Sequence, residues 1–83
     1  MLDARQQEQL TAIVQALGDD VDLETARLDA DHTLEVVLCR DALCFRPYRI
    51  TTDEVNIPAA LAGQPEAQQA LLQHLRTFLE GID

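Results

Sequence analysis

Leu10, Ile13, Val14 and Leu17 recur at the spacing of one helix face, with polar residues between them. Asp3 and Gln6 stand three apart ahead of this run, the arrangement in which a cap residue and the third helical residue satisfy each other's backbone N–H. Gly18 follows where a left-handed residue closes a helix. The pattern predicts a helix over 4–17.

From residue 21 the period changes to two. Residues 21–29 read as a strand, with Ala26 and Leu28 facing a core. Residues 33–40 and 43–50 read as two more strands. A three-residue loop over 30–32 pairs Asp29 with Thr33 and sets Arg27 against Glu35, a cross-strand charge pair. Cys39 and Cys44 bracket Arg40-Asp41-Ala42-Leu43. Any even-numbered loop centred between Asp41 and Ala42 places the two cysteines opposite each other. Leu34, Val36 and Leu38 then share a face with Leu43, Phe45 and Pro47, a sorting that a one-residue slip would undo. Pro47 has no N–H to give a ladder, so strand 43–50 is expected at the sheet edge with that nitrogen turned outward.

The C-terminal third has helical spacing. Thr51 and Glu54 are placed for a second capping box, limited by Pro58; Asn56 is placed to cap a short helix 57–62 that ends at Gly63. Pro65 opens a helix over 65–80. Its buried stripe is Ala67, Leu71, Leu75, Phe78 and Leu79, and Gly81 closes it. The expected fold is α+β, a two-layer sandwich in the order α-β-β-β-α(short)-α. Its sheet is a three-stranded antiparallel meander with the helices on one face.

The 83 residues are read as a single small domain whose core is thin. No apolar run approaches the length that spans a bilayer, so no membrane is expected among the partners. Met1-Leu2-Asp3-Ala4-Arg5-Gln6 has no basic region leading into an apolar stretch. No signal peptide is therefore expected, and the expected compartment is the cytoplasm. Fifteen acids against six arginines give a net charge of −9, without lysine or serine. Such a field repels phosphate backbones, so direct nucleic-acid binding is not expected.

No catalytic constellation emerges. Serine is absent, the three glycines form no phosphate loop, and no carboxylate is embedded in apolar sequence. Neither enzyme activity nor a cofactor is expected. His32 and His74 lack zinc-type spacing to the cysteines, so no metal is expected. Asp19, Asp20, Asp22, Glu24, Asp29 and Asp31 form the densest acidic stretch. It fails as a calcium loop, because counting from Asp20 the sixth and twelfth positions hold Thr25 and Asp31. The stretch reads either as solvated strand ends or as a patch for a basic partner. Arg40, Arg46 and Arg49, with Tyr48 among them, read either as local ion pairs or as interface residues. Cys39 and Cys44 read either as two reduced apolar neighbours or as a redox pair.

Ala16-Leu17-Gly18 ending a helix, then Leu28-Asp29-Ala30-Asp31 leading into paired strands, resembles the first half of type III secretion chaperones. The resemblance covers Ala16 to Pro47. It implies a small acidic dimer that holds a segment of an effector protein. The chain departs from that family in being shorter and in lacking its second pair of strands.

The register leaves Leu23, Thr25, Arg27, Glu35, Val37, Cys39, Cys44, Arg46, Tyr48 and Ile50 on the face away from the helices. A mixed, uncovered face of this kind suits an interaction module. The expected function is non-enzymatic protein binding as a homodimer or with a protein partner, through Arg27, Glu35, Val37, Arg46, Tyr48 and Ile50. The alternatives are an acidic inhibitor that competes with nucleic acid for a basic protein, and a thiol switch.

Overall fold

Strand β2 (Leu34–Arg40) is the ruler of the sheet, because every other strand pairs with it. In the computed structural model, which describes residues 2–81, β1 (Val21–Leu28) lies along one side of it. Two short strands, β3 (Leu43–Cys44) and β4 (Tyr48–Ile50), share the other side in succession, and all pairings are antiparallel. Helix α1 (Ala4–Gln15) precedes the sheet, and α2 (Ile57–Leu61) and α3 (Pro65–Glu80) follow it. The α+β arrangement expected from the sequence is present, with the third strand divided into two.

Local signals set the helix ends. The Asp3 carboxylate accepts the Gln6 N–H at 2.8 Å, and the Gln6 side chain accepts the Asp3 N–H at 3.1 Å. Asn56 caps α2 by accepting the Ala59 N–H at 3.2 Å, and Gly63 leaves that helix with φ 94°. The expected Thr51/Glu54 box forms only as a turn, in which Glu54 accepts the Thr51 N–H at 3.3 Å. Gln68 on α3 donates to Gln9 on α1 and to the Ala60 carbonyl on α2, tying the three helices together.

One cluster joins these elements. Leu10, Ile13 and Val14 from α1, Ile57 and Leu61 from α2, and Leu71, Leu75 and Leu79 from α3 pack on Leu34, Val36, Leu38 and Ile50. All three helices therefore cover the same side of the sheet.

The expected β1–β2 hairpin is observed around its loop. Asp29 donates to the Thr33 carbonyl at 3.0 Å, and Ala26, Arg27 and Leu28 oppose Val36, Glu35 and Leu34. Further along, the register shifts between Leu23 and Thr25. Strict alternation would have put Glu24 against Leu38, in the core. A carboxylate is costly to bury unpaired, and the bulge removes it while turning Leu23 and the buried Val21 to the helix side. Leu23 thus does not belong to the uncovered face.

A second slip corrects the expectation for 43–50. Cys39 opposes Cys44 as expected, and Phe45 donates to Leu38 at 2.8 Å. Continued unchanged, that register would make Val36 and Pro47 a hydrogen-bonded pair, with Pro47 required to donate. Proline has no such proton. The chain therefore skips one residue, and Tyr48 opposes Val36 while Ile50 opposes Leu34. Tyr48 and Ile50 consequently face the helices. Ile50 is fully buried, and Tyr48 stacks on Phe78 of α3. Leu43, expected on the core face, is instead exposed at the hairpin tip, and Pro47 is exposed too.

Candidate functional site: the uncovered sheet face

The uncovered face is built mainly by β1 and β2. Arg27, Glu35 and Arg49 form a row across three strands, since Arg27 opposes Glu35 and Glu35 opposes Arg49. Arg27 meets Glu35 at 2.7 Å and Asp29 at 3.6 Å, and Arg49 reaches the same Asp29 at 3.1 Å. These four charges neutralise one another. Arg49, not Tyr48 or Ile50, is therefore the residue that strand β4 supplies to this face.

One step along the sheet, Thr25 opposes Val37, which is half-buried. Beyond them, a disulfide joins Cys39 to Cys44, and no free cysteine remains. Of the two readings of the pair, this structure holds the joined state. Hairpin geometry brings the pair together. Asp41 and Ala42 form a two-residue turn with φ 53° and 69°, the left-handed conformation that matches the twist of the strands. Arg40 then pairs with Leu43, and the next pair outward is the two cysteines.

Glu24 completes this end of the face. The bulge in β1 brings its carboxylate beside the cysteines, so that one of its oxygens and both Sγ atoms lie within 4.8 Å of one another. Sequence spacing did not reveal this cluster, because Glu24 meets the cysteines only after the one-residue slip. A glutamate that alternation would bury was the available signal.

The six acids do not form one patch. Asp19 and Asp20 lie in the turn before β1, Asp22 and Glu24 near its start, and Asp29 and Asp31 beyond its far end. Eight strand residues separate the two ends by about 26 Å. Asp20 pairs with Arg40 at 3.3 Å, and Asp29 is shared by two arginines. Asp31 accepts the Thr33 N–H at 3.2 Å, and bonds from the Thr33 backbone and side chain hold its carboxyl below the usual value. Arg46 is exposed in the stretch between β3 and β4. Of the residues expected to bind a partner, the structure gathers Arg27, Glu35 and Val37 on the uncovered face. Tyr48 and Ile50 lie on the other side.

Among the described residues, no helix is long and apolar enough to cross a membrane. The chain matches no known protein family, no curated protein and no solved structure.

Proposed function

We propose that this chain is a non-enzymatic, cytoplasmic protein-interaction module that associates through the uncovered sheet face, first of all with a second copy of itself. The observation that carries this reading is the placement of α1, α2 and α3 on one side of the sheet, which leaves the other side to solvent. Val37, Cys39 and Cys44 supply a small apolar centre. Arg27, Arg49, Glu35 and Asp29 supply a polar rim, the layout of a modest interface. The row Arg27–Glu35–Arg49 alternates in sign, so a two-fold axis passing between Arg27 and Glu35 would set the arginine of each copy against the glutamate of the other. The division of the acidic residues between the two ends of β1 favours this face over a single acidic surface.

Light scattering at low and high salt tests the reading. A dimer is expected at both, and Arg27→Glu together with Arg49→Glu should shift it toward monomer at least tenfold in Kd. A wild-type chain that stays monomeric and captures no partner in a pull-down would defeat it. A complex with a basic protein that dissolves in moderate salt would point to the acidic residues instead.

A further inference from the structure

We propose that reduction of the Cys39–Cys44 disulfide creates a site for a zinc-like divalent metal, held by both thiolates and the Glu24 carboxylate. Nothing in this inference depends on the chain being a dimer.

The donor set is assembled by backbone features already described. The tight Asp41-Ala42 turn sets the two cysteines opposite each other, so both sulfurs project from one side of the sheet. The β1 bulge brings the Glu24 carboxylate beside them, within 4.8 Å of both sulfurs. A tetrahedral zinc with Zn–S near 2.3 Å holds its thiolates about 3.8 Å apart. Small rotations of two side chains open the broken disulfide to that spacing without moving a strand. Cys44 is exposed, so the ion has an entry path and a water completes the coordination. Arg40, beside Cys39 in sequence, is turned to Asp20, and Arg27, three residues from Glu24, pairs with Glu35 and Asp29, so neither competes for Glu24. Two soft sulfurs with one carboxylate favour zinc or cobalt over calcium or magnesium. Bulges are frequent beside functional sites because they re-aim a side chain, and this one aims the third ligand.

The chemistry balances in two steps. A dithiol reductant gives two electrons and two protons to the disulfide and itself becomes a disulfide, leaving two thiols. The metal then displaces both thiol protons and bonds to two thiolates and Glu24. Oxidation of the cysteines would expel the ion, so the metal-loaded form belongs to reducing conditions.

Cobalt(II) is the probe. The full chain is reduced with a phosphine under argon and titrated with cobalt chloride, with circular dichroism checking each variant's fold. Reduced wild type should show thiolate-to-cobalt charge-transfer absorption and strong tetrahedral d–d bands, saturating at one ion per chain. The oxidised chain and Cys44→Ser should show no charge-transfer band. Glu24→Gln should bind at least about tenfold more weakly. Glu8→Gln, an exposed acid on α1, should bind like wild type. The proposal is overturned if the reduced wild type binds cobalt no more tightly than the Cys39→Ser/Cys44→Ser variant. It is also overturned if the oxidised chain binds equally well, or if Glu24→Gln leaves affinity unchanged.

Discussion

Tyr48 and Phe78 lie ring on ring, with centroids 4.2 Å apart and planes 7° from parallel. The pair fastens the last helix to the edge strand, and it exists only because the chain skips a residue at Pro47. Both rings are half-buried, so Phe78→Ala should cost about 2 kcal/mol, less than a fully buried ring would. A double-mutant cycle with Tyr48→Ala, read by urea denaturation, should give a coupling of about 1 kcal/mol. Additive losses would show that the rings only sit near each other.

Ala42 holds φ 69°, a conformation that disfavours any residue with a Cβ. Ala42→Gly should therefore stabilise the hairpin by about 0.5–1 kcal/mol, raising Tm by a few degrees. A lower Tm would mean that the turn does not hold this shape in solution.

The cross-link between residues 39 and 44 closes a short loop. Loop-closure entropy alone assigns it about 2 kcal/mol. Reduction by a phosphine in the absence of metal should lower the urea midpoint by that amount and leave the far-ultraviolet spectrum unchanged. Loss of all secondary structure on reduction would contradict a core that rests mainly on the helices.

Two groups predict opposite limbs of the pH–stability curve. Bonds from the Thr33 backbone and side chain lower Asp31 from 3.8 in the folded chain. Its contribution is thus present above pH 3.8 and lost as pH falls through the lowered value. Burial, aided by the charge of Glu54, raises Tyr48 above 10.0. Its contribution is present below pH 10 and lost as pH rises through the raised value. Asp31→Asn should flatten the acid limb and Tyr48→Phe the alkaline one, measured as urea midpoint against pH. Limbs that keep their wild-type slopes would place the titrating groups elsewhere.

The helix starts and both hairpin loops were legible because each rests on neighbours in sequence: Asp3 with Gln6, Asn56 with Ala59, Asp29 with Thr33, Cys39 with Cys44, whereas α1 ends at Gln15, two residues short of the expected 17. The two register slips were not, because each resolves a conflict between strands. At Glu24 the conflict is between alternation and the cost of a buried carboxylate. At Pro47 it is between alternation and a missing proton, and that one was decidable: counting hydrogen-bonded pairs outward from the cysteines already requires Pro47 to donate. The uncovered face was therefore found as a surface but populated partly with the wrong residues. Tyr48, Ile50 and Leu23 belong to the helix side, and Arg49 and Glu24 take their places.

Both outer borders of the sheet are broken, β1 by its bulge and the opposite border by the gap between β3 and β4. A straight strand from another molecule finds no long, even row of backbone donors and acceptors on either side. Growth by adding strands, the route to fibrils, is blocked at each end. The face-to-face association proposed above would use up that face and stop at two copies, so the same irregularities would also set a limit on assembly size.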